Sequence, residues 1–236
     1  MFWRIKNAFS PQRKLYRRFI LLRKLENRNS NPPIQSLDEL NTLMNERAYL
    51  QDLEIPVLQN YAKSAKDFIV EIGCAFGASS ALFLANAAPT VKIHSIDPFI
   101  VDSMGTLQAT KSKCEMNVRQ VLEVLQRTDR IEKWTLHTDY SYNVVNTWTN
   151  PIDVLFIDGN HNYEAVKQDF TQWFPKIKFG GIILFHDSRK EAGTPRETFN
   201  RGWEGPTQLA KELLDDHRLK LIEEAFSLTV WKKIHD

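Results

Sequence analysis

Phe68-Ile69-Val70-Glu71-Ile72-Gly73-Cys74-Ala75-Phe76-Gly77-Ala78-Ser79-Ser80 is the stretch from which the rest of the chain can be read. An apolar, β-branched run ends in an acid and a glycine, a second glycine follows four positions later, and residues 78–86 are rich in small residues. That order predicts a strand, a tight turn and a helix. Gly73 permits the turn, Gly77 lets the helix begin close to a ligand, and the first helical N–H groups face outward without partners. A ligand carrying a carboxylate or a phosphate suits such a junction.

Around this junction the pattern alternates. Strands are predicted at residues 91–96, 134–137, 152–157 and 182–185, with helices at 111–126, 163–174 and 206–214 between and after them. Residues 220–225 and 228–233 form a closing antiparallel pair. Upstream, Ser36 and Asp38 can cap a helix through Leu40, Leu43 and Met44, and residues 55–61 form a second helix leading into the first strand. Strands separated by helices imply a mostly parallel sheet covered on both faces, here seven strands in a three-layer α/β sandwich of Rossmann-like type. In such a sheet ligands bind at the carboxyl ends of the strands, near the point where strand order reverses. Glu71, Gly73, Asp97, Asp139, Asp158, His186 and Asp187 all fall at predicted strand ends, so they are expected to converge.

The chain has 236 residues, 42% of them hydrophobic and 25% charged, which is enough for one substantial core plus appendages. Its formal charge of +2 conceals an asymmetry. Residues 1–28 carry Arg4, Lys6, Arg13, Lys14, Arg17, Arg18, Arg23, Lys24 and Arg28 against Glu26 alone, so the remainder is acidic. An acidic body argues against nucleic-acid binding, which depends on neutralising phosphates. In the arm, Leu15, Tyr16, Phe19, Ile20 and Leu22 recur at helical spacing. It reads either as an accessory helix packed on the domain or as a basic amphipathic anchor for anionic lipid or an acidic partner. The linker with Asn29, Ser30, Asn31, Pro32 and Pro33 divides this arm, residues 1–33, from a main domain at 34–236. Cys74 and Cys114 form no disulfide framework, and no apolar run is long enough for a signal peptide or a membrane span. These features predict a cytoplasmic protein, with peripheral contact at the inner membrane face if the arm is an anchor.

The turn excludes two common ligand classes. Gly73-x-x-x-Gly77 is not the G-x-G-x-x-G of dinucleotide sites, and no G-K-[ST] follows for a nucleotide triphosphate loop. Asp97, about 20 residues beyond the turn at the end of the next strand, suits the two hydroxyls of a ribose. A nucleoside-containing ligand other than a dinucleotide is the reading these residues support.

The set Glu71 to Ser79, then Ile96-Asp97, then Asp153 to Glu164 with its Ile157-Asp158-Gly159-Asn160-His161, and finally Gly180 to Ser188, resembles S-adenosylmethionine-dependent methyltransferases with a Rossmann-like fold. Within them it is similar to a bacterial subgroup related to sugar and macrolide-sugar (macrocin-type) O-methyltransferases and, more distantly, to catechol O-methyltransferase. The resemblance covers the chain from Phe68 onward and leaves out the arm. It implies that Gly73, Gly77 and Ser79 surround the methionine end of the cofactor, that Glu71 supports the turn, that Asp97 takes the ribose, and that Asp139 and Ser141 lie beside the adenine. It also implies a metal site, Mg²⁺ held by Asp158, Asp187 and the residue after it, here Ser188 where the relatives have Asn. His161 stands where catechol O-methyltransferase has its general base.

Residue chemistry agrees with that assignment. Two carboxylates at adjacent strand ends repel unless a proton, water or cation joins them, and a hard cation also acidifies a bound hydroxyl. Histidine titrates near neutral pH and suits a base. His186 alternates with Asp187 along the strand and is read either as a core histidine bonded to backbone or as a second cleft residue. The loop after Ser188, with Lys190, Arg196, Arg201 and Trp203, is the place for an acceptor.

The resulting expectation is an S-adenosylmethionine-dependent O-methyltransferase acting on a hydroxyl of a sugar or other small molecule, with catalytic His161 and Asp158 and metal assistance. The alternatives are a non-catalytic adenosylmethionine-binding scaffold docked through its arm, or an NAD-dependent oxidoreductase. The acceptor is the expected partner, and a homodimer is compatible with the sequence.

Overall fold

The structure, a computed structural model, describes residues 34–44, 46–100, 109–189 and 202–236. The basic arm and linker at 1–33 and the loop residues Lys190, Arg196 and Arg201 lie outside the described residues.

Two helices precede the sheet: α1 (Leu37–Met44) and α2 (Glu54–Ser64). Ser36 caps α1 as its sequence predicts, its hydroxyl accepting the Glu39 N–H at 3.2 Å while the Glu39 carboxylate accepts the Gln35 N–H at 2.9 Å. Then follow β1 (Phe68–Ile72), α3 (Ala78–Asn86), β2 (Lys92–Ile96), α4 (Lys111–Val124), β3 (Trp134–His137), α5 (Ser141–Thr147), β4 (Ile152–Ile157), α6 (Tyr163–Trp173), β5 (Ile177–Phe185), α7 (Glu204–Glu212), β6 (Leu219–Ala225) and β7 (Leu228–Lys233). The seven strands lie in the order β3-β2-β1-β4-β5-β7-β6. The first five are parallel, and β7 runs antiparallel to both β5 and β6. This is the Rossmann-like architecture the alternation of elements predicts.

Period-2 alternation builds the two cores. Ile69, Phe156, Leu184 and Val230 face one side, with Leu58, Leu82, Phe83 and Val118 from α2, α3 and α4. Val70, Leu155, Ile183 and Trp231 face the other, with Phe170, Trp173 and Leu209 from α6 and α7. The central strands are therefore apolar almost throughout, as strands buried on both faces must be.

Two local features differ from the sequence reading. Gly180-Gly181 is not a turn before a short strand: β5 starts at Ile177 and carries an irregularity there, since Ile152 pairs with Ile177 but Val154 pairs with Ile182. Gly180 has φ +79°, which the missing side chain permits. Helix α5 is too short, at 7 residues, to show a hydrophobic period.

The chain order reverses at β1, whose neighbours are β2 and β4. At the carboxyl edge each strand is extended by one further bond. Asp97 N–H donates to His137 O at 3.0 Å, Gly73 N–H to Ile96 O at 2.8 Å, Asp158 N–H to Ile72 O at 2.8 Å and His186 N–H to Ile157 O at 3.0 Å. These bonds bring residues scattered over more than a hundred positions into one row.

Candidate active site

The β1–α3 turn is shaped by two glycines in the left-handed backbone region. Gly73 and Gly77 have φ +85° and +86°. A Cβ on Gly73 would lie 2.1 Å from the carbonyl oxygen of Asp158, and one on Gly77 would lie 2.7 Å from Val118 Cγ2. The turn therefore packs directly on the end of β4.

Asp97 clamps this turn from β2. Its Oδ2 accepts the N–H groups of Cys74 at 3.1 Å and Ala75 at 2.8 Å, and its Oδ1 accepts Phe99 N–H at 2.8 Å. The half-buried carboxylate still has acceptor capacity after these three bonds. Glu71 works from beneath. It is fully buried and accepts hydroxyl hydrogens from Ser79, Ser80 and, at 2.6 Å, Ser95. Burial pushes its carboxyl up to about 7, against the lowering effect of the three serine hydroxyls. Ser79 thus points into the protein at Glu71 instead of outward to the turn, so it braces the turn from below.

On the β3 side, Asp139 closes its own turn, accepting Tyr140 N–H at 2.7 Å and Asn143 Nδ2–H at 2.8 Å, and these bonds hold its carboxyl below the usual range. Ser141 is buried and donates to Asp169 on α6. Burial raises the Asp169 carboxyl to about 6. Asp169 escaped the sequence reading because it sits mid-helix, away from any strand end.

Across the β4–β5 boundary lies a cluster of two carboxylates and two imidazoles. His161 Nε2 stands 3.8 Å from Asp158 Oδ1 and 3.4 Å from Asp187 Oδ2. His186 Nδ1 stands 3.0 Å from Asp158 Oδ1 and 3.4 Å from Asp187 Oδ2. Both Nε2 of His161 and Nδ1 of His186 are shielded from solvent, and neither makes a hydrogen bond of good geometry among the described residues. Burial works against charge on both partners, yet attraction to Asp158, Asp187 and Glu54 moves His186 well above the usual histidine range, and the imidazoles hold Asp158 below the carboxylate range. His186 is thus a cleft residue and a buried one at once. Asp187 follows it because the chain turns there, with φ +53°, and both side chains reach the same space.

The segment after the loop closes the cluster. Trp203 N–H donates to Asp187 O at 2.7 Å, and Gly202 bridges Ser188. Gly205 packs so tightly that a Cβ would sit 2.2 Å from His161 O. The Trp203 ring lies on the His161 ring, centroids 5.1 Å apart and 1° from parallel.

Asp158, His161 and Asp187 each offer a ligand atom within 4.8 Å of the others. The oxygen set expected for Mg²⁺ is not there, however. Ser188 Oγ is buried and directed away from the cluster, bonded to Phe185 O at 3.0 Å, Ser227 O at 3.3 Å and Thr229 Oγ1 at 2.7 Å. The inward neighbours of the two carboxylates are imidazole nitrogens, donors that Mg²⁺ does not favour. These residues do not fit Mg²⁺, and no chemistry below depends on it. Among the described residues no helix is long and apolar enough to cross a membrane.

Three comparisons place this arrangement among known proteins. An uncharacterized protein of Acanthamoeba polyphaga mimivirus is 27% identical over 147 residues, 61% of this chain and 63% of that protein, so the match spans less than two thirds of its length. The structure of TomG, an O-methyltransferase from Streptomyces achromogenes involved in tomaymycin synthesis, in complex with SAM, is similar with a TM-score of 0.59 at 12% identity, covering 88% of this chain and 92% of that one. The SAH-bound Podospora anserina methyltransferase PaMTH1 is similar with a TM-score of 0.60 at 16% identity, covering 96% and 97%. Identities this low speak for the fold. A family model described as a methyltransferase domain matches residues 70–188, from the middle of β1 to the residue after Asp187. The chain belongs to that methyltransferase-domain family.

Proposed function

We propose that this protein is an S-adenosylmethionine-dependent O-methyltransferase whose acceptor is a hydroxyl of a small molecule, a sugar in the first instance. The observation that carries the reading is the double role of Asp158. Its carbonyl packs under Gly73 of the cofactor-type turn, and its carboxylate faces His161 Nε2. One residue therefore joins a donor cradle to a base.

The cradle fits the donor. Two side-chain-free positions, a helix start without a side-chain cap and the remaining acceptor capacity of Asp97 suit the amino-acid end and the ribose of an adenosylated methionine. When bound, that group supplies a methyl carried on a sulfonium. The chain's own part is the proton. His161, placed between Asp158 and Asp187, would take the acceptor's hydroxyl proton as the oxygen displaces the sulfonium sulfur from the methyl carbon, leaving a neutral thioether, and the two carboxylates would stabilise the imidazolium so formed. Trp203 holds the ring in plane and excludes water from one face. The solved relatives whose descriptions name O-methylation and SAM support the same chemistry.

The test is transfer of isotopically labelled methyl from S-adenosylmethionine to a panel of hydroxylated acceptors that includes free and nucleotide-linked sugars. Label in an ether oxygen of one acceptor, lost in His161→Ala, supports the reading. Label in none of them contradicts the acceptor class.

A further inference from the structure

Glu54 lies on α2, outside residues 70–188 that match the family, yet its carboxylate reaches the back of the site. It is 0% exposed. An ionised carboxylate without solvent requires donors on every side. Glu54 has them: Oε2 accepts Gln51 N–H at 2.8 Å and faces His186 Nε2 at 3.1 Å, while Oε1 accepts Ser227 N–H at 3.1 Å and the Ser227 hydroxyl. Ser227 sits in the turn between β6 and β7. A helix before the sheet and a hairpin at its end thus meet on one histidine at the end of β5.

His186 is 5% exposed, and its two nitrogens face opposite ways. Nε2 meets Glu54, whereas Nδ1 meets Asp158 Oδ1 at 3.0 Å and Asp187 Oδ2 at 3.4 Å. Carboxylate oxygens face both nitrogens, and a carboxylate only accepts, so each nitrogen of the ring is placed to donate. The Nε2 contact with Glu54 is a hydrogen bond, while Nδ1 makes none of good geometry. The Glu54 bond is therefore the one that sets the plane of the ring.

We propose that Glu54 is a positioning residue of the active site: it holds the Nε2 proton of His186 and so fixes the ring with Nδ1 aimed at the Asp158–Asp187 pair. Asp158, anchored from behind in this way, keeps its Oδ1 on His161. Glu54 touches neither the acceptor nor the donor and acts through His186 alone. Its consequence for turnover rests on the methyl-transfer reading, whereas the geometry does not.

The test is a ¹H–¹⁵N spectrum of the full chain labelled at histidine, with His186 assigned by His186→Asn. The proposal predicts a proton bonded to Nε2 of His186 in the wild type. In Glu54→Leu that signal is lost or displaced, while the proton on Nδ1, facing Asp158 and Asp187, remains. Ser227→Ala, which removes a different bond to Glu54, leaves the His186 signals where they were. A bare Nε2 in the wild type overturns the proposal whether or not Glu54→Leu folds, and so do His186 signals that are the same in Glu54→Leu and wild type. Where methyl transfer is measurable, Glu54→Leu lowers kcat by about tenfold or more with KM for S-adenosylmethionine unchanged. If no acceptor is methylated, the functional reading fails and the spectrum still decides the role of Glu54.

Discussion

The rings of His161 and Trp203 lie face to face, 1° from parallel with centroids 5.1 Å apart, and the backbone N–H of the same tryptophan holds the carbonyl of Asp187 at 2.7 Å. The tryptophan therefore fixes both the base and one of its carboxylate neighbours. Such a ring pair contributes about 1 kcal/mol beyond its buried area. Trp203→Leu is expected to lower turnover by about tenfold, with S-adenosylhomocysteine affinity unchanged, and Trp203→Phe to recover most of the loss. Equal turnover in the leucine variant and the wild type would show that the stack does not matter to the reaction.

His161 is assigned the proton. General-base catalysis by a placed side chain contributes about 10²–10⁴-fold, so His161→Ala should reduce turnover within that range and leave cofactor binding intact. Steady-state rates beside equilibrium binding separate the two effects.

Gly73 and Gly159 provide an internal contrast. At Gly73 a Cβ would lie 2.1 Å from a backbone oxygen at φ +85°, whereas at Gly159 the nearest atom would be Ile72 Cγ2 at 3.4 Å. Gly73→Ala should cost about 3 kcal/mol or more or abolish folding, and Gly159→Ala about 1 kcal/mol or less. Chemical denaturation of both variants checks this.

Glu71 makes stability depend on pH. Burial raises its folded carboxyl from the ordinary 4.5 to about 7, so between these values the folded state binds the proton that the unfolded state has released. Its contribution is fully present below pH 4.5 and is lost as pH rises through 7. His94 works in the opposite direction: burial lowers it from 6.5 to about 4, so the folded state gains stability as pH rises through that interval. Comparing Glu71→Gln with the wild type isolates the first effect. The stability of the variant relative to wild type should rise between pH 5 and 8, by a few kcal/mol at most. A constant difference would remove Glu71 from the account.

Much of this was legible in the sequence because it depends on period and position. The apolar alternation placed β1, β2 and β4, and the acids at their ends had to face one edge, so Asp97, Asp158 and Asp187 could be named together. Directions of short hydroxyls could not. Ser79, Ser141 and Ser188 occupy the expected positions, yet each bonds inward, to Glu71, Asp169 and Thr229, partners set by tertiary packing. His186 stayed ambiguous for the same reason, since the contact that orients it comes from Glu54, 132 residues away. The Gly180-Gly181 pair read as a turn because an irregularity inside a strand and a loop use the same residues.

The central claim is that the Gly73–Gly77 turn, clamped by Asp97, holds an adenosylated methionine. Titration calorimetry of the wild type and Asp97→Ala with S-adenosylhomocysteine, and of the wild type with NAD, tests it most directly. The account predicts one-site binding of S-adenosylhomocysteine, weakened about 10–100-fold in Asp97→Ala through loss of charge-assisted bonds, and no binding of NAD. Equal affinity in the two proteins, or binding of NAD in place of S-adenosylhomocysteine, would contradict it.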